Sequence, residues 1–149
     1  MRTGHGALNW RACFQHPPDI PAMTASVRLI DFQANAPAPT HDRPRPDRLV
    51  AGNPDRTTWT HYSAQHGDFD CGIWACEPGA WRIAFPAGKE EFFHVISGRI
   101  RISDDAGAAS EFGPGDACVI PAGFTGLFEV LERVRKYFVV IDREAAQSA

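Results

Sequence analysis

The sequence predicts an all-β domain, a double-sheet jelly roll of about eight or nine short antiparallel strands carrying an extended N-terminal arm. Three observations lead there. After Asp47, short apolar or alternating runs follow one another closely, each stopped by Gly, Pro, Asp or Asn. The 13 glycines and 12 prolines in 149 residues supply turns rather than long helices. No amphipathic stretch exceeds a turn or two, so the strands must cover one another. A composition of 44% hydrophobic and 11% aromatic residues suffices for a core, and the length suits one domain.

From Met1 to Pro46 the chain is broken by His16-Pro17-Pro18, Ile20-Pro21 and the run ANAPAPTHDRPRPD, the texture of an arm rather than a core. Met23 begins a plausible alternative start, so residues 1–22 are expected to be an unordered extension, and Val27 to Phe32 is a candidate edge strand. Residues 47–149 form the expected domain. Strands are read at Thr57–Tyr62, Cys71–Glu77, Ala80–Phe85, Glu91–Ile96, Arg99–Ser103, Ala109–Phe112, Ala117–Ile120, Thr125–Leu131 and Arg135–Ile141. Turns fall at Glu77-Pro78-Gly79, Ser97-Gly98, Asp104 to Gly107, Gly113 to Asp116 and Pro121-Ala122-Gly123. Gly98, Gly115 and Gly123 sit where positive φ is expected, and Pro114 and Pro121 stiffen the approaches.

Charge narrows the function classes. Residues 1–46 carry five basic and three acidic side chains, leaving ten basic and fifteen acidic in residues 47–149, a domain charge near −5. Such a surface repels phosphate backbones, and no basic stripe interleaved with aromatics appears, so no nucleic-acid partner is expected. Cys13, Cys71, Cys76 and Cys118 form no C-x-x-C pair, and the odd spacing of Cys71 and Cys76 separates them across a strand. Reduced cysteines in a cytoplasmic protein are the expectation. No secretory apolar run of about 7 to 15 residues opens the sequence, and nothing reaches membrane-spanning length.

The block from Gly79 to Val130 resembles the cupin superfamily, whose first motif is G-x5-H-x-H-x3-4-E-x6-G. Here Gly79 opens it, Glu91 holds the acidic position, and six residues separate Glu91 from Gly98. The second motif appears as Gly115-x5-Pro121-x-Gly123. The lead-in TTWTHY…GIWACEPGAW and the tail FEVLERVRKYFVV resemble small single-domain cupins related to the cupin domain of ureidoglycine aminohydrolases. The resemblance covers about two-thirds of the chain and implies a double-stranded β-helix barrel and a homodimer. It speaks weakly to reaction, because one fold hosts many functions.

The departures decide the chemistry. The first motif's histidines fall on Phe85 and Ala87, and the second motif's on Gly126, so only Glu91 survives of four expected ligands. A transition metal wants three or four donors, and a lone carboxylate cannot replace them. No metal or other cofactor is predicted at the usual place, with a divalent metal as the runner-up. His94 lies three residues beyond Glu91 and so faces the other way, while nothing in the spacing of His61 and His66 demands a ligand role.

By strand parity Glu91 shares its inward face with Phe93 and Val95, alongside Phe85, Ala87, Gly126, Phe128 and Val130, with Trp74 and Trp81 as further pocket walls. A carboxyl group in an apolar pocket has its pKa raised unless a basic partner is near. Lys89, Arg82, Arg101 and Lys136 are the candidate partners. Glu91 is accordingly the expected polar anchor or general acid-base of a small-molecule pocket, with a salt-bridged structural Glu as the plain alternative. Trp59, Trp74, Trp81, Tyr62 and Tyr137 are read first as core aromatics, and the run Arg133, Arg135, Lys136 as an exposed strand face. Three readings follow: a metal-independent cupin acting on a small polar metabolite, a metal-dependent enzyme like ureidoglycine aminohydrolase, and a non-catalytic sensor or scaffold.

Overall fold

A computed structural model describes residues 27–34 and 36–144. The expected unordered extension, residues 1–22, lies outside the described residues. The described residues form nine strands in order: β1 Thr40–Asp42, β2 Leu49–Ala51, β3 Arg56–Ser63, β4 Phe69–Cys76, β5 Gly79–Ala84, β6 Lys89–Asp104, β7 Ala109–Phe112, β8 Ala117–Ile120 and β9 Thr125–Asp142. No helix occurs among the described residues, and so none that is long and apolar enough to cross a membrane.

All pairings are antiparallel. The long strands β6 and β9 pair along nearly their whole lengths and pass through both layers. Their one half joins β1, β3, β4 and β8, and their other half joins β2, β5 and β7. The result is the curled double sheet of a jelly roll. Between the layers lie Phe93, Val95, Ile100, Val134 and Phe128, the first four fully buried. Each such side chain contributes about 1.5–3 kcal/mol of burial.

Several local expectations are corrected. Ser97-Gly98 is not a reversal: Glu91–Ile96 and Arg99–Ser103 are two halves of β6, joined through register shifts between Val95 and Ile100. Gly98 has φ of 83°, and a Cβ there would lie 2.1 Å from the Arg133 carbonyl oxygen. Only glycine allows both the bulge and the close approach of β9, and the bulge bends β6 from one layer into the other. Thr125–Leu131 and Arg135–Ile141 likewise merge into β9. Gly115 (φ 91°) and Gly123 (φ 78°) do occupy turns. Gly79 opens β5, where the Pro54 ring closes over its Cα.

Val27 to Phe32 forms no strand. The arm pairs instead through Thr40–Asp42, where Arg56 of β3 grips Asp42 with two bonds of 2.8 and 2.5 Å.

Candidate functional site

Between the two layers lies a cavity of about 260 Å³. Inward positions of β9, Val134, Lys136, Phe138 and Val140, alternate with the outward Arg133, Arg135, Tyr137 and Val139. Lys136 therefore leaves the exposed face expected for the basic run, on which Arg133 and Arg135 do lie. It is 4% exposed, the one charged side chain among the described residues that is fully buried.

Of the four candidate partners for Glu91, Lys136 is the one the fold delivers. Its Nζ donates to Glu91 Oε1 at 2.5 Å. Arg82 is committed to Asp105 at 2.5 Å and Arg101 to Glu111 at 2.5 Å, both at the surface. The Lys89 ammonium lies over the Phe85 ring at 5.8 Å. The basic partner expected for this carboxylate is therefore a cation in direct contact with it.

Three rings enclose the Lys136 ammonium: Phe93 at 4.6 Å, Trp74 at 4.8 Å and Phe128 at 5.4 Å from their centroids. Trp74 stands opposite Lys136 in the β4–β9 register, so their side chains emerge side by side. The ring faces supply electron density to the remaining ammonium protons, which compensates part of the desolvation of a buried charge. Trp81 packs on Phe128 at 5.0 Å, and Trp74 meets Phe128 edge-on at 6.0 Å. An aromatic wall faces an ion pair.

The predicted wall residues divide. Glu91, Phe85, Phe128, Trp74 and Trp81 line the cavity, joined by Arg56, Thr58, Ile83, Lys89, Ile120, Lys136, Phe138 and Val140. Phe93, Val95 and Val130 are buried in the core beside it. Ala87 is corrected: it is exposed in the turn between β5 and β6, because that strand has already ended at Ala84. Gly126 is buried with the Ser103 carbonyl oxygen 2.1 Å from where its Cβ would stand, so no side chain projects from it. Sequence reasoning missed Arg56, Thr58, Ile83, Ile120, Phe138 and Val140; the alternation of β9 around Val134 was the available signal for the last two.

The metal expected of a cupin does not fit these residues. Phe85 is a ring, Gly126 has no space for a side chain, and the remaining donor, Glu91, holds an ammonium ion. Among the described residues no three His, Cys, Asp or Glu side chains gather into a group able to hold a metal ion. His61 Nδ1 donates to the Trp59 carbonyl oxygen (3.0 Å) and its ring stacks on Phe32 at 4.0 Å, His94 stacks with Tyr137 at 6.2 Å, and His66 is exposed in a turn. None of the three lines the cavity. Of the other aromatics, Trp59 lies under Arg135 at 5.2 Å and Tyr62 is exposed. Burial raises the thiols of Cys71, Cys76 and Cys118, that of Cys76 up to about 12, so these are protonated packing groups.

Comparison with solved structures supports the fold. The chain is similar to a protein of unknown function from Pseudomonas syringae pv. tomato, with a TM-score of 0.63 at 22% identity over 74% of this chain. It spans 46% of that protein's length. The Clostridium difficile EutQ protein matches with a TM-score of 0.53 at 23% identity, over 64% of this chain and 76% of the other. A putative ethanolamine utilization protein Q from Salmonella typhimurium matches with 0.54 at 15% identity, over 72% and 98%. No curated protein matches. A family model described as the EutQ-like cupin domain matches residues 63–138, just over half of the sequence and the stretch that contributes Trp74, Trp81, Glu91 and Lys136 to the cavity; the chain belongs to the EutQ-like cupin domain family.

Proposed function

We propose that this protein binds a small polar metabolite in its barrel cavity without a tightly bound metal, using the Glu91–Lys136 pair as the polar anchor. The observation that carries the reading is the 2.5 Å contact between these groups at the wall of an otherwise largely apolar cavity. An ammonium ion stands against the carboxylate that a cupin would offer to a metal, and it supplies fixed positive charge there. Glu91 accepts hydrogen bonds from a ligand, and Lys136 orients it. If turnover follows binding, Glu91, the one carboxyl group lining the cavity, is the group placed to accept or return a proton.

A metal-dependent reaction of the ureidoglycine aminohydrolase type asks for donors that Phe85 and Gly126 do not supply. A non-catalytic scaffold asks for a filled barrel, whereas about 260 Å³ is open.

The test is extraction of small molecules from denatured purified protein with mass spectrometry, alongside metal analysis of the same sample. A stoichiometric organic ligand lost in Glu91→Gln, with no stoichiometric metal, is the expected result. Stoichiometric manganese, zinc or iron would overturn the reading, as would unchanged ligand binding by the Gln variant.

A further inference from the structure

We propose that the ligand of this cavity is a small organic anion, with a planar apolar body among the aromatic walls and its anionic head toward Lys89. The inference rests on the reading that the cavity binds a small molecule, and it adds the chemical class.

Charge balance is the first support. Three cations, Arg56, Lys89 and Lys136, line the cavity against one carboxylate, Glu91. Lys136 is neutralised by Glu91, and Arg56 by Asp42 behind the wall. Lys89 remains: among the described residues no carboxylate lies within ion-pair distance of it. A half-buried ammonium beside an apolar space gains more from an anion than one in bulk water does, because the low local dielectric strengthens the attraction.

The second support is independent of the cavity interior. Lys89 also lines an adjoining groove that shares Arg56, Trp81, Ile83 and Phe85 with the cavity. That groove is lined by five bases, Arg45, Arg48, Arg56, Arg82 and Lys89, and by no acid. Arg45, Arg56 and Arg82 reach outward to Asp47, Asp42 and Asp105, while Arg48, like Lys89, makes no ion pair among the described residues. On a domain with a net negative charge, this is a local positive approach to the cavity, the field that concentrates anions and repels cations.

Size and wall chemistry define the rest. A volume near 260 Å³ corresponds to a ligand on the order of ten non-hydrogen atoms, given ~30 Å³ for each water displaced. Trp74, Trp81 and Phe128 pack on one another with centroids 5.0 to 6.3 Å apart and line the cavity as one continuous aromatic wall, against which a flat apolar body can lie. The head group is a carboxylate or a phosphomonoester, which share the charge and differ in size.

The test is titration of the full chain with benzoate, phenyl phosphate and the uncharged isostere benzamide, read by tryptophan fluorescence and by NMR shifts of residues around the cavity. At least one anion is expected to bind at least about tenfold more tightly than benzamide, ~1.4 kcal/mol, and to lose that advantage in Lys89→Gln. Lys89 is at the cavity edge, and its replacement is checked for an unchanged thermal midpoint; Arg48→Gln serves as a second variant, with the same direction and a smaller effect. Equal binding of benzamide and the anions would overturn the anion class while leaving the cavity a binding site. Absence of anion binding at millimolar concentration, or an anion advantage that survives both substitutions, would overturn it as well. The reading beneath it fails separately, in the extraction experiment.

Discussion

Lys136 stands opposite Val95 in the β6–β9 register, yet its ammonium reaches back past the face of Phe93 to meet Glu91, four residues along the neighbouring strand. Both side chains point into the barrel, so the bond crosses the cavity wall rather than the solvent. The Lys136 side chain is 5% exposed and that of Glu91 16%. Two charges out of water depend on each other, because desolvation is offset only while both are present.

The first prediction follows. Lys136→Met leaves a largely buried carboxylate, and Glu91→Leu a caged ammonium, so each single variant is expected to lose about 3 kcal/mol of stability. The double variant replaces both charges with apolar groups of similar bulk and is expected to recover most of that loss. Chemical denaturation of the four proteins completes the cycle. Additive losses would show that the two groups are not coupled.

Much of this architecture was legible in the sequence, and the reasons are local. Turn residues such as Gly115, Pro121 and Gly123 act through their own φ angles, so they mark reversals wherever they occur. Gly98 was misread because glycine permits a bulge as readily as a turn. Only the partner strand decides between them, here the Arg133 carbonyl pressed against it. Glu91 was legible from motif spacing and strand parity. Lys136 was not singled out because two neighbouring arginines made the run read as surface, although its parity with Val134 and Phe138 pointed inward. The groove of Arg45, Arg48 and Arg82 gathers side chains from the arm, β5 and the connection between them, a proximity that no local pattern encodes.

Cys76 gives a pH prediction. It is 2% exposed, and burial raises its thiol from 9.0 to about 12. The native state therefore keeps a proton that the unfolded chain releases above pH 9. The stabilisation from this group is fully present below pH 9 and is lost as pH rises from 9 toward 12, by at most about 1.4 kcal/mol per pH unit. Urea unfolding across that range is expected to show the slope in the parent protein and a shallower one in Cys76→Ala, whose stability at neutral pH falls through loss of packing. Identical slopes would remove Cys76 as the cause.

Gly98→Ala tests the bulge. A Cβ would have to share space with the Arg133 carbonyl at a positive φ, so β6 or β9 must shift. A loss of at least about 2 kcal/mol is expected, larger than for Gly123→Ala, where φ is also positive but the space beside the Cα is open. Comparing the two variants separates backbone strain from steric contact. Equal losses would mean that the approach of β9 is not the constraint.

The family resemblance implies a homodimer, and the outer face carries exposed apolar residues on which that expectation can be tested. On the outer face, Phe92 and Val119 stand opposite each other on β6 and β8 and are 43% and 55% exposed, and Ile141 of β9 continues the patch. Further along this face, Phe32 of the arm already seats over His61 and tilts against Tyr137, while Val27 and Leu29 just before it are fully exposed. The chain therefore carries both an apolar arm and a face that accepts apolar side chains from it, the self-complementarity that a twofold pairing requires. We propose that a second copy covers this face, with the arms contributing to the contact. Light scattering at micromolar concentration is expected to give the mass of two chains for the parent protein. Phe92→Lys with Val119→Lys is expected to give the mass of one, since two like charges would meet their counterparts across the axis. A parent protein that stays monomeric at high concentration would exclude the pairing, and a dimer unaffected by the two lysines would place the contact on another surface.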